Sequence, residues 1–234
     1  MNNYNFEGQP DGDWDDRGDL SWQNYDWRHY ISRHEDEVER FIDLYNGLKD
    51  QPEHLDETAR QMGWDTGDWS VGDDDDSYLP LSDDTFEDSD DDDDGEPYTL
   101  LRHPVFVVVR GLYRYLRRMW SHYLASDKAV SDARTTWIYS QLLTEGEMHA
   151  LMALQSIDTG DYQLAICQIK IALEDINRTF TVIPVLFPAN DPTKQLMERE
   201  ISVRLFDLRE MFLRLISDCT EEMHRRGGNG KSGE

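Results

Sequence analysis

The segment from residue 98 to residue 124 constrains the fold of this chain more than any other. It is the first strongly apolar run after a long acidic tract, and it carries five arginines and no acidic residue. Its apolar residues recur at the i, i+3, i+4, i+7 spacing of an amphipathic helix. They are Val105, Val108, Val109, Leu112, Tyr115, Leu116, Met119 and Tyr123. The β-branched run Val105–Val109 alone would suit a strand, but the spacing continues for two further turns and predicts a helix.

The opposite side of this helix is basic and carries Arg110, Arg114, Arg117 and Arg118, which we call the arginine face. It is open to three interpretations. Acidic residues of neighbouring helices could pair with it on a solvated surface, as is usual for amphipathic helices. The acidic tract of the same chain could fold back over it. It could also bind a phosphate backbone, in which case binding would weaken steeply with salt. We predict that the arginine face is the interaction face of the protein.

Charge is divided unevenly along the chain. Residues 1–97 hold 32 acidic and 6 basic residues and account for the whole net charge of −26, whereas residues 98–234 hold 17 of each. Residues 73–96 contain fourteen acids and no base. Such a density of like charge, with few apolar groups, opposes folding. We therefore predict a disordered acidic linker over residues 50–96, with one weak turn of helix around Leu55–Met62, and disordered tails at residues 1–20 and 227–234.

Four further helices are predicted from apolar spacing and from cap residues. They cover residues 21–49, 126–158, 162 to about 184 or 188, and 192–226. For the helix at 126–158, the predicted inner side consists of Val130, Ala133, Trp137, Gln141, Thr144, Met148, Leu151 and Met152, and Ile138 and Leu142 flank it. Four long helices with short connections over residues 97–226 predict an all-α protein with an antiparallel up-down bundle. The helix at 21–49 would dock as a fifth through the acidic linker.

Signals for catalysis are weak throughout the sequence. It contains no G-x-S-x-G, P-loop or dinucleotide-binding fingerprint. Di-metal centres in helical bundles use Glu-x-x-His on two helices, and the single such spacing here, Glu221 to His224, falls at the end of the last helix. Glu145, Glu147 and His149 form the one polar group inside a predicted helix on which a metal or ligand site could depend. We predict no catalytic residue, no metal ligand and no cofactor.

Together these features predict a non-catalytic protein-interaction or regulatory module with an acidic disordered arm. Its partner would be a basic protein or a second copy of the chain. The alternative is a small-molecule or metal-binding helical bundle with enzymatic activity. The neutral domain lacks clustered lysines, which argues against a nucleic-acid partner. The polar segment Met1–Pro10, the two cysteines and the lack of long apolar runs predict a cytoplasmic protein without a membrane partner.

Overall fold

The computed structural model describes residues 22–64, 99–126, 132–187 and 192–229, and over these ranges the chain is all-helical, as predicted. The helices are α1 (Asn24–Leu48), α2 (His54–Met62), α3 (Pro104–Leu124), α4 (Ala133–Asp158), α5 (Tyr162–Leu186) and α6 (Pro192–Asn229), and a 3₁₀ turn at Leu100–Arg102 precedes α3. The predicted tail at 1–20 and the acidic tract at 73–96 lie outside the described residues. At the other end, α6 continues three residues into the predicted tail at 227–234, of which residues 230–234 are not described.

Local chemistry sets the helix ends. At the start of α3, the His103 imidazole accepts a hydrogen bond from the Val105 backbone N–H at 3.2 Å, and Pro104 occupies the first turn, where an N–H has no helical partner. Between α4 and α5, Gly160 adopts a φ of +76°, which glycine tolerates without strain. Asp161 then caps α5 by accepting from the Leu164 N–H at 3.0 Å.

α3 lies at the centre of the molecule, where it packs against α1, α4 and α6. Residues Val105–Val109 are helical, so the helix prediction is confirmed and the strand interpretation is wrong. The buried side is broader than predicted, because Val107, Tyr113 and Trp120 also lie in the core, whereas Tyr115 and Met119 are only partly covered. This broad buried surface reflects contact with helices on more than one side.

The predicted inner side of α4 is wrong, although Leu142, predicted to flank it, is buried, and Val130 lies outside the described residues. Its buried residues are Tyr139, Leu142, Leu143, Gly146, Glu147, Ala150, Ala153, Leu154 and Ser156. Trp137, Met148 and Met152 are instead exposed, and the helix begins at Ala133 behind an Asp132 cap rather than at residue 126. The small residues Gly146, Ala150 and Ala153 let α4 approach its neighbours closely, and its contact with α5 is the most extensive in the structure. Close packing at small residues therefore outweighs the burial of larger side chains.

The predicted linker also begins too early. α2 lies within residues 50–96 and docks on α1, with Leu55, Thr58, Ala59 and Met62 buried. Trp64 follows it and stacks on Phe41 of α1 with ring centroids 6.2 Å apart. Because the apolar side of α2 packs against α1, residues 51–64 belong to the folded body. Within the described residues, no helix is long and apolar enough to cross a membrane.

Candidate functional site

The arginine face is paired with acidic side chains of α1 along one edge. Arg114 donates hydrogen bonds to both Glu35 and Glu39, the latter at 3.0 Å, and both Nη atoms of Arg118 donate to Glu39. The Arg118 hydrogen bond is the main cause of a lowered pKa at Glu39. Arg114 is only 14% exposed and its pairs are partly covered, whereas the Arg118–Glu39 pair is open to water on both sides and is individually weak.

The other edge of the arginine face is held by a buried carboxylate of α4. Glu147, only 7% exposed, accepts from Arg110 at 2.9 Å and from Arg117. Burial of this carboxylate is compensated by two guanidinium partners, which fixes their orientation. The interpretation that acidic residues of neighbouring helices pair with this face is thus confirmed, whereas its role as an interaction face stays a prediction.

An open concavity of about 560 Å³ lies along the last turns of α3. Its lining residues are Arg114, Arg117, Arg118, Ser121, His122 and Ala125. None of these described lining residues is acidic, because the carboxylates that bind the arginines approach from the flanking helices. The concavity therefore presents hydrogen-bond donors to solvent.

The structure does not bring Glu145, Glu147 and His149 together. Glu147 contacts the arginines of α3, whereas the Glu145 carboxylate accepts from Gln141 at 2.6 Å and His149 Nδ1 lies 2.8 Å from Gln168 Oε1 on α5. Among the described residues, no group of three or more His, Cys, Asp or Glu side chains is placed to hold a metal ion. The arrangement of these three residues therefore offers no support for the metal-binding alternative.

Asp175 of α5 carries a buried carboxylate, and the cost of burying its charge can be tested. Burial, and then the negative charge of Glu145, raises the pKa of the Asp175 carboxyl. The exposed Arg178 donates to it at a long 3.4 Å and offsets little of this cost. Asp175→Asn should therefore increase the free energy of unfolding at neutral pH, measured by urea denaturation. The gain should be complete above the raised pKa, decline as pH falls through it, and vanish below the ordinary pKa of about 3.9.

The matched control for this prediction is Glu174→Gln, which removes an exposed carboxylate from the adjacent position. We expect it to change stability by no more than about 0.5 kcal/mol. A loss of stability in Asp175→Asn at pH 7, or a gain that persists at low pH, would contradict the burial cost.

A buried polar network on α6 was not predicted from the sequence. Arg204 is completely buried and lies 3.7 Å from the centre of the Tyr115 ring. Its guanidinium donates to Asn46 Oδ1 of α1 at 2.6 Å and to the Glu200 carboxylate at 2.9 Å. Glu200 also accepts from Lys49, the residue that follows α1. Both partners of the Arg204–Glu200 ion pair are therefore hydrogen-bonded to side chains at the end of α1. A sequence signal exists, since Arg204 falls at helical spacing from the core residues of α6.

One turn further along α6, Asp207 connects three helices. Its buried carboxylate accepts from the Tyr45 hydroxyl of α1, and His54 Nε2 of α2 lies 2.9 Å from the same oxygen. Burial, followed by the charge of Asp207, raises the pKa of Tyr45, so the phenol remains protonated as a donor. The two networks pair most of the polar groups that they bury, although Arg204 Nε has no hydrogen-bond partner among the described residues.

Neither of these networks provides an activated nucleophile. Cys219 is buried on α6, and burial raises the pKa of its thiol to about 12. A thiol in this state is not a nucleophile at neutral pH.

The solvent side of α4 is the most unusual surface. Between Thr135 and Ile157, every exposed residue of this helix is uncharged. These residues are Trp137, Thr144, Met148, Met152 and Gln155. We call Trp137, Met148 and Met152 the α4 apolar face; Trp137 is 64% exposed. Solvated helix faces normally carry charge, so this surface is typical of a contact site rather than of a free exterior.

The chain matches no protein-family model, no curated protein and no solved structure. The assignment of a function consequently rests on the geometry and chemistry of these surfaces.

Proposed function

We propose that the protein is a non-catalytic interaction module that binds a basic, amphipathic helical segment of another protein. The observation that carries the proposal is the α4 apolar face, because no exposed residue of α4 between Thr135 and Ile157 is charged. Methionine side chains are flexible and polarisable, so they adapt to varied apolar partners. Helices commonly bind to such surfaces through residues at i, i+3, i+4 and i+7.

The charge around this face favours a basic partner. Over residues 132–187, which include α4 and α5, acidic residues outnumber basic residues by seven to three. The net charge of −26 for the whole chain adds a long-range attraction for cationic partners. A partner helix with an apolar side and flanking lysines or arginines would complement both the apolar centre and the acidic surroundings.

We further infer that α3 to α6 form an antiparallel up-down bundle with α1 as a fifth helix. Contacts between α3 and α4 support opposite directions, because Tyr113 approaches Gly146 while Trp120, further along α3, packs 4.6 Å from Tyr139, further back on α4. Successive helices from α3 to α6 pack on one another, and α1 packs on α3. In such a bundle the α4 apolar face would lie on the outside, available to a partner.

The proposal is tested with the double variant Met148→Glu/Met152→Glu. The probe is a synthetic amphipathic helix of leucine and lysine, and its binding to the full chain is measured by titration calorimetry. We expect the double variant to lose about tenfold or more in affinity, because two carboxylates would interrupt the apolar contact. Both side chains are exposed in the free protein, so folding should be unaffected.

The control variant is Leu196→Glu/Leu213→Glu, which makes the same charge change at two exposed apolar residues of α6. It should bind the peptide as the unmodified protein does. Equal binding of a peptide with the same composition but a scrambled order would contradict recognition of an amphipathic helix. A dimer in light scattering that Met148→Glu/Met152→Glu dissociates would instead identify a second copy of this chain as the partner.

A further inference from the structure

We propose that the concavity at the end of α3 is a binding site for a compact polyphosphate anion, such as a pyrophosphate group. The proposal is independent of the contact made by α4. It rests on the lining of the concavity, where three guanidinium groups, the Ser121 hydroxyl and the His122 imidazole line one open space. Arginine is well suited to phosphate oxygens, because its planar group donates two parallel hydrogen bonds.

The arginines are held in place by carboxylates of unequal strength. Glu147 of α4 is buried and pairs with both Arg110 and Arg117. Glu35 and Glu39 are exposed on α1 and hold Arg114 and Arg118. The Arg118–Glu39 pair is exposed on both sides and contributes little, so an incoming anion can replace Glu39 there while Glu147 continues to orient its two arginines. The site is thus preorganised on one edge and exchangeable on the other.

The three arginines that line the concavity are balanced by three carboxylates, so an anion must compete with them for the guanidinium groups. Arg110, which shares Glu147 with Arg117 outside the lining, adds one further positive charge to the arginine face. Ser121 and His122 also line the concavity and add a hydroxyl and an imidazole to its hydrogen-bonding groups.

The surroundings favour a short anion. The concavity is open to solvent and, at about 560 Å³, has room for more than one phosphate group. A long nucleic acid would meet the repulsion of a chain with a net charge of −26. A short anion that concentrates several charges on two or three phosphorus atoms would contact the three lining arginines together without extending over acidic surface.

The test is calorimetric titration of the full chain with sodium pyrophosphate at fixed ionic strength. We expect saturable binding of one pyrophosphate per chain. Arg118→Gln should weaken binding by about tenfold, the usual order for one charge-assisted contact. Glu39→Gln should tighten binding several-fold, because it removes the carboxylate that competes for Arg114 and Arg118. A purely structural role of these ion pairs would not give opposite effects on pyrophosphate affinity.

The control is Arg209→Gln, which removes one exposed arginine from α6 and should leave the affinity unchanged. A loss equal to that of Arg118→Gln would show that only overall charge matters and would overturn the site. Absence of saturable binding, or weaker binding of pyrophosphate than of a short poly-aspartate peptide, would also overturn it, the latter by identifying an acidic segment as the occupant. None of these outcomes depends on the peptide-binding test of α4.

Discussion

Arg204→Ala is expected to lower the free energy of unfolding by about 3–5 kcal/mol, the range found when one partner of a buried charge network is removed. The side chain is completely buried, so its loss leaves a large void beside the Tyr115 ring. The Asn46 side chain also loses its buried donor, and Glu200 keeps only Lys49. Urea denaturation followed by circular dichroism at 222 nm measures the loss.

Two companion variants separate position from charge in this prediction. Arg209→Ala removes an exposed arginine five residues further along α6, and we expect it to change stability by no more than about 0.5 kcal/mol. Arg204→Met keeps much of the buried volume without the charge, so it should be less harmful than alanine. A loss in Arg204→Ala no larger than that in Arg209→Ala would show that the network contributes nothing to stability.

The elements that could be predicted from the sequence are those determined by local signals. The helix at α3 follows from apolar spacing and from Pro104 in the first turn, and the turn before α5 follows from Gly160 and Asp161. Each of these signals acts within a few residues of the structure that it specifies. The all-α class could therefore be recognised without knowledge of any tertiary contact.

The face of α4 could not be predicted on the same basis, since two sides of this helix carry apolar residues. The larger residues Trp137 and Met148 predict that their side is buried, but that side is exposed. The buried side instead contains Gly146 and Ala150. Small residues contribute little apolar area by themselves and favour burial only when a neighbouring helix is close. That neighbour is determined by the tertiary structure, so helical spacing alone was insufficient.

Only part of each candidate site could be predicted from the sequence. The arginine face could be identified from helical spacing, but its partners could not, because Glu39 and Glu147 are distant in sequence and sit among other charged residues. Arg204 and Asn46 are 158 residues apart. Charge pairing between helices depends on their relative positions, which a single sequence does not reveal.

Gly146→Ala is expected to destabilise the protein by about 1–3 kcal/mol, although alanine is the better helix former by up to about 1 kcal/mol. A Cβ atom at this position would lie 2.6 Å from the Tyr113 hydroxyl oxygen, so α3 and α4 would have to separate. The control is Gly47→Ala in α1, where a Cβ meets nothing within 4 Å. That variant should be neutral or stabilising when both are measured by urea denaturation.

Tyr113→Phe tests whether this single oxygen is the cause. The hydroxyl is buried without a hydrogen-bond partner among the described residues, so its removal should be neutral or stabilising. In Gly146→Ala/Tyr113→Phe the nearest ring carbon would lie 3.4 Å from the new Cβ, an ordinary contact. The double variant should therefore regain the stability lost in Gly146→Ala, which gives a favourable coupling of about 1–3 kcal/mol in the double-mutant cycle. Additive effects in that cycle would mean that α3 and α4 do not meet at this glycine.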